Sequence, residues 1–253
     1  MTLAKLVPKS AGLAGLALAY LLQSGWVRLQ YPDSQRYPIR GIDVSHHQGY
    51  IDWSSVAREG MVFAYVKASE GGDARDPRFE ENWRGAQEAG LAPGAYHYFS
   101  LCRNGAVQAN NFLEALAPVH GPMLPPAVDL EFTGNCTARP APAALRRELE
   151  AFTRRVREQL GVAPMFYVTE TFWTAYRDAL EPRGELWVRS VILSPDRAFG
   201  PGWRLWQYAG RARVAGVSGP VDLDTFNGSE ADWRLFLRER LKLKPDASAE
   251  IDL

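Results

Sequence analysis

Two carboxylates separated by a single residue, Asp129 and Glu131 in the run PPAVDLE, are where this chain concentrates its chemistry. A strand's period of two puts both side chains on one face with Cα atoms ~6.5 Å apart. Acids so placed do not ionise independently. One pKa rises, which leaves a proton donor working near neutral pH beside a partner that stays charged. Hydrolysis of a glycosidic bond needs that division of labour, and Glu131 is the expected donor. The pattern is short, and strand-end carboxylates that accept loop N–H groups share it, so the remaining sequence must supply context.

The elements that have to position this pair are legible as an alternation of short apolar runs and amphipathic stretches. GIDVSHH precedes residues 56–60, MVFAYVKAS precedes 79–90, APGAYHYFS precedes 106–117, PPAVDLE precedes 143–160 and PMFYVT precedes 172–180. Five strand and helix pairs in series predict a parallel, barrel-like sheet. Leu145, Leu149, Phe152, Val156 and Leu160 recur at spacings of four, three, four and four, which marks the fourth helix and its sheet-facing stripe. After Leu180 the rhythm becomes ELWVRSVIL, WRLWQYAG and VDLDTFNG with only turns between, then a last helix over 230–241. The expected fold is therefore α/β, a TIM-like irregular barrel of five strand-helix units closed by three further strands. Its strand C-termini gather Asp43, Glu70, His97, Tyr98, Asp129, Glu131, Tyr167, Gln207, Tyr208 and Asp222 at one face. Acids inside apolar strands are costly unless paired, hydrated or used.

Residues 10–27 form an uncharged run of 18, preceded by Lys5 and Lys9 and closed by Arg28. Residues 1–28 therefore read as a signal peptide or a membrane anchor with the N-terminus inside, which puts the body outside the cytoplasm. Poor small residues at a cleavage site favour the uncleaved anchor. Residues 29–39, with two prolines and no apolar period, read as a linker, 40–242 as one catalytic barrel and 243–253 as a tail. The 29 basic residues balance the 29 acidic ones, so no global field draws nucleic acid. Cys102 and Cys136, the only cysteines, follow two neighbouring strand-like runs, and in an oxidising compartment they are expected to pair. No cysteines have zinc spacing, and His46, His47 and His97 read as hydrogen-bonding residues, so neither metal nor cofactor is expected.

Four further segments surround the acid pair: GIDVSHHQG at 41–49, FAYVKASEG at 63–71 with Asp76-Pro77, AGLAPGAYHYF at 89–99, and LWQYAG with VDLDTFNG near the end. Together with D-x-E they resemble glycoside hydrolase family 25, the Chalaropsis-type lysozymes (N-acetylmuramidases), over about residues 40–240. The resemblance implies cleavage of the bond from N-acetylmuramic acid to N-acetylglucosamine in peptidoglycan, with retention. It implies Glu131 as general acid/base, Asp129 as its partner carboxylate, and Asp43 and Asp222 as acids lining the groove; Glu70 matches another acid. With Asp129 and Glu131 on one strand and facing one way, assistance by the substrate's own 2-acetamido group is favoured over direct attack by Asp129. Tyr65, Tyr96, Tyr98, Tyr167, Trp206 and Tyr208 are candidates to stack on sugars. Arg189 departs from the family pattern after Trp187 and either binds a substrate carboxylate or pairs with a groove acid such as Asp222. The expected partner is a peptidoglycan glycan strand, met by a monomer. The competing readings are a non-catalytic peptidoglycan-binding module and a chitinase-like enzyme.

Overall fold

The computed structural model describes residues 15–16, 19–180 and 184–241. Nine strands form one sheet: β1 Arg40–Val44, β2 Met61–Glu70, the two-residue β3 Ala74–Arg75, β4 Ala92–Tyr98, β5 Ala127–Leu130, β6 Met165–Thr169, β7 Leu186–Arg189, β8 Trp203–Ala212 and β9 Val221–Phe226. Their order is β1-β9-β8-β7-β6-β5-β4-β2-β3, and β1 also pairs with β2, so eight strands close into a barrel with β3 hanging from the edge of β2. Helices Trp53–Arg58, Phe79–Glu88, Gly105–Leu116, Pro142–Leu160 and Glu170–Tyr176 follow the first five barrel strands. A one-turn helix, Asp196–Phe199, stands between β7 and β8, where the sequence suggested only a turn. Seven barrel strands run parallel, and β9 alone is antiparallel to both its neighbours.

Strand alternation divides the apolar residues into two layers. The outer layer lies between strands and helices, where Leu145, Leu149, Phe152 and Val156 of Pro142–Leu160 are buried. The inner layer fills the barrel with Phe63, Tyr65, Tyr96, Tyr167, Trp187, Leu205 and Phe226. The final helix, Glu230–Leu241, closes the barrel's lower end: Trp233 packs 5.4 Å from the Phe63 ring and 5.1 Å from that of Phe226. Gly94 leaves room for this stacking, since a Cβ there would lie 2.5 Å from the Tyr65 ring. The interior below is thus packed solid, and polar groups are left to the upper end, where the parallel strands finish.

The segment ahead of the barrel lies against it. Tyr37 and Ile39, within the stretch read as a linker, are buried, and Gln30 donates from Nε2 to the Ile192 carbonyl at 2.5 Å. The first fourteen positions of the expected signal or anchor lie outside the described residues. Among those described, no helix is long and apolar enough to cross a membrane. The tail over 243–253 also lies outside them.

Candidate active site

At the upper end of the barrel, two cavities of about 330 and 270 Å³ share Asp43, Tyr96, Asp129, Glu131, Thr133 and Asp222, and together form one cleft. A larger hollow of about 800 Å³ lies outside the barrel against Pro142–Leu160 and contains none of these acids. Of the residues expected at the site, Asp43, Asp129, Glu131, Asp222 and Tyr96 line both parts of the cleft. Glu70 and Tyr98 line one part, Tyr167 and Arg189 the other.

Tyr65, Trp206 and Tyr208 lie elsewhere. Tyr65 is inside the barrel but below the cleft, its hydroxyl donating to the Pro125 carbonyl at 2.9 Å and its ring 4.7 Å from Trp187. On β8 the inward positions belong to Leu205 and Gln207, so alternation turns Trp206 and Tyr208 outward into the helical layer. Trp206 there donates from Nε1 to the Ser190 carbonyl at 2.7 Å.

The acids are set by register. Asp129 in β5 has Tyr98 of β4 and Tyr167 of β6 as lateral neighbours, and Glu131 follows the last residue of the strand at the mouth. Asp43 of β1 pairs across with Asp222 of β9. Gln207 Nε2 donates to Asp43 Oδ2 at 2.7 Å, while Tyr167 donates its hydroxyl to Gln207 Oε1 at 3.0 Å. Beneath lies an acid that the sequence reading passed over: Asp224 is fully buried and accepts from Trp187 Nε1 at 2.7 Å. Asp43 and Asp224 lie close enough for each to act on the other's titration, and Asp224 Oδ2 is buried with no hydrogen-bond partner in the protein. The same period-two spacing that drew attention to Asp129 and Glu131 was present in VDLDTFNG. Lys67 was also missed; its Nζ bonds Glu70 Oε2 at 2.7 Å and stands 4.9 Å from the Tyr98 ring centre.

Burial is the leading influence on every acid of the cluster. It raises Asp43 to about 6, opposed by hydrogen bonds from Gln207 and Asp224 and by the charge of Arg189. It holds Asp129 well above the usual carboxylate range, reinforced by the negative charge of Glu131 and then Asp43. Glu131 is also raised by burial, but Arg189 pulls it down and Lys67 adds to that pull. Asp222 and Asp224 are both pushed well up by burial, with Asp43 adding repulsion. The deeper Asp129 is raised more strongly than Glu131, whereas the strand-spacing argument made Asp129 the charged member. Asp129 Oδ1 is buried with no hydrogen-bond partner in the protein. Asp129 itself lines both parts of the cleft.

The rim is braced covalently and by hydrogen bonds. Cys102 and Cys136 form a disulfide with Cα atoms 6.3 Å apart, tying the loops after β4 and β5. Asn135 Nδ2 donates to the carbonyls of Phe99 and Glu131, which stitches the same loops together beside the proton donor candidate. The histidines do other work. His97 is buried between Ser69 Oγ at 2.8 Å and Gln108 Oε1 at 3.2 Å, and burial lowers it to about 3, so it is neutral. His46 Nδ1 lies 2.8 Å from Asp76 Oδ2, and among the described residues no group of His, Cys, Asp and Glu is arranged to hold a metal ion.

Comparison with known proteins gives a consistent result. The family model described as Glycosyl hydrolases family 25 matches residues 42–217. Lysozyme M1 of Streptomyces globisporus is 35% identical over 203 residues, covering 76% of this chain and 69% of its own. An uncharacterized protein of Escherichia coli (strain K12), YegX, is 34% identical over 206 residues, covering 79% of this chain and 74% of its own. Among solved structures, a family 25 glycosyl hydrolase from Bacillus anthracis superposes with a TM-score of 0.75 at 32% identity, over 83% of this chain and 97% of that one.

Proposed function

The chain belongs to glycosyl hydrolase family 25 and is a glycoside hydrolase of the lysozyme type, and from that membership we propose that it cuts the β-1,4 bond from N-acetylmuramic acid to N-acetylglucosamine with retention, using Glu131 as general acid/base and Asp129 to assist the 2-acetamido group. The observation that carries this reading is the unpartnered Asp129 Oδ1, buried on the same wall of the cleft as Glu131. A 2-acetamido N–H is the donor such an oxygen lacks. Once it donates there, the charged form of Asp129 is favoured. The proton that burial holds on the coupled pair then resides on Glu131, next to the leaving oxygen.

Glu131 gives this proton to the glycosidic oxygen as the bond to C1 breaks, and the acetamido carbonyl oxygen closes on C1 from the other face. The ring so formed carries positive charge, which the Asp129 carboxylate balances. Glu131, now a carboxylate within the influence of Arg189 and Lys67, takes a proton from water as that water opens the ring at C1. Two inversions give retention. Asp43 and Asp222, facing each other across β1 and β9, hold sugar hydroxyls with Tyr96, Tyr98, Tyr167 and Glu70 along the walls. Arg189 restrains the pKa of Glu131 and Asp222.

The substrate lies outside the cytoplasm, so the same proposal includes export, with residues 1–28 as an anchor that stays attached. Mass spectrometry of digested peptidoglycan tests the bond assignment. Products ending in reducing N-acetylmuramic acid are expected; reducing N-acetylglucosamine would refute it.

A further inference from the structure

We propose that the barrel does not swing on a tether but docks on an anionic lipid bilayer through the rim beside β8, with the cleft held at the membrane surface. The proposal rests on the reading of residues 1–28 as an anchor and adds a second contact, made where residues 26–31 are seated on the barrel beside Ile192 and Arg213.

The C-terminal end of this segment, the stem that leads into the barrel, is seated on β8. Residues 19–23 are helical. The helix ends with Trp26 N–H donating to Leu21 O and Gly25 N–H donating to Leu22 O, the paired bonds that close a helix over a left-handed residue. That residue is Gly25, at φ +79°, and a Cβ there would lie 3.0 Å from the Arg211 carbonyl oxygen, so the stem backbone rests on β8. Arg211 Nε donates to the Gln23 carbonyl at 2.8 Å and Arg213 Nε to the Ser24 carbonyl at 2.9 Å, placing two cations at a helix C-terminus. Further on, Arg28 lies 5.9 Å from the Tyr208 ring centre, and Gln30 holds the Ile192 carbonyl in the loop after β7.

What this seated stem exposes is unlike the rest of the surface. Trp26 is 64% exposed, while the other seven tryptophans are buried. Leu29, Tyr31 and Ile192 are exposed to 59%, 60% and 65%. Arg213 stacks 4.9 Å from Trp26 and Arg28 4.5 Å from Tyr31. Aromatic rings carrying guanidinium groups beside aliphatic side chains match the interfacial layer of a bilayer, where rings sit among headgroups and cations meet lipid phosphates. A bilayer is the occupant because the 18 uncharged residues over 10–27 run into this rim. Arg211 also acts on the charge of Asp222 in the cleft, so the docked rim and the substrate groove are one neighbourhood. The glycan this arrangement suits is one lying at the membrane surface.

The full chain is reconstituted into phosphatidylcholine vesicles with and without phosphatidylglycerol. Both native cysteines are in the disulfide, so an introduced thiol takes an environment-sensitive fluorophore alone. Ile192→Cys reports the rim; Val107→Cys, 51% exposed on the helix after β4, diametrically across the barrel from β8, is the reference. On anionic vesicles the label at 192 is expected to shift to the emission of an apolar site and to be quenched by brominated lipid, with the label at 107 remaining in water. Arg213→Glu and Gly25→Ala are expected to return the label at 192 to water while the chain still floats with the vesicles, the former lowering the docked fraction about 5-fold for each unit of charge changed. Flotation with the label at 192 in water overturns docking and leaves the anchor standing. Failure to float overturns both, and neither result bears on hydrolysis.

Discussion

Two acid pairs in this barrel are written the same way, residue, spacer, residue, and end in different places. Asp129 lies in β5 and Glu131 directly follows it, and since β5 runs parallel to its neighbours a step of two residues moves toward the mouth. Glu131 is accordingly half-buried and lines the cleft. Asp222 and Asp224 belong to β9, the one antiparallel strand, so the same step moves down into the barrel. Asp222 stays at the cleft, and Asp224 descends to 0% exposure beneath Asp43. Strand direction, which two-residue spacing does not encode, separates a carboxyl that can reach substrate from one confined to holding a neighbour.

If that separation is right, the largest effect comes from the mouth of the first pair. Glu131→Gln keeps shape and removes the transferable proton. Turnover of cell-wall substrate should fall about 100- to 10,000-fold, or ~3 to 5.5 kcal/mol in the barrier. Thermal melting should stay near wild type. Near-normal turnover in this variant would remove Glu131 from the role of acid.

The contrast also shows what was legible beforehand. Five strand and helix pairs, the final helix and the acids Asp43, Asp129, Glu131 and Asp222 could be read from periodicity and motif because each repeats a local pattern. Asp224 was not read, since its significance depends on β9 reversing between β1 and β8, which is a tertiary fact. Tyr65, Trp206 and Tyr208 were placed on the groove because an aromatic near a strand end looks alike whether it faces up, down or outward. Register decides: Gln207 faces in and hence Trp206 and Tyr208 face out. Lys67 stood in plain view within an apolar strand and is the omission most open to a closer reading.

The mouth pair also depends on a covalent brace that the β9 pair lacks. Replacing Cys102 and Cys136 by serine opens a 34-residue loop and should cost ~2 to 4 kcal/mol in urea unfolding. The loops it ties carry Glu131, so turnover should decline with the loss, while protection of the β9 amides from hydrogen exchange falls only as far as global stability does. A loss of exchange protection concentrated in β9 would contradict the assignment of the brace to the mouth.

Within the first pair, Asp129→Asn removes the carboxylate that balances a charged oxazoline-like ring. A thiazoline mimic should bind the variant ~10- to 100-fold more weakly, as expected for one charge-assisted hydrogen bond, with intact glycan losing less. Equal losses for both ligands, together with a glycosyl adduct on Asp129 from a slow fluorinated substrate, would establish direct attack.

The smallest effect is expected from the bottom of the second pair, and it appears in stability against pH. Asp224 is buried and receives the Trp187 N–H on Oδ1, and burial, with the negative charge of Asp43 adding to it, raises its pKa well above the usual carboxylate range. An acid raised in this way favours folding at low pH, and the contribution is lost as pH rises from the unfolded pKa toward the folded one. Over that window the unfolded chain has released a proton that the fold retains, which costs ~1.4 kcal/mol per pH unit. Asp224→Asn copies the neutral acid, with its oxygen still accepting from Trp187. It should therefore match the wild type at acid pH and gain on it as pH rises above the unfolded carboxylate pKa, by at most ~1.4 kcal/mol per pH unit. Urea unfolding at each pH measures the difference, and parallel curves for the two proteins would mean that Asp224 ionises in the fold as it does in the unfolded chain.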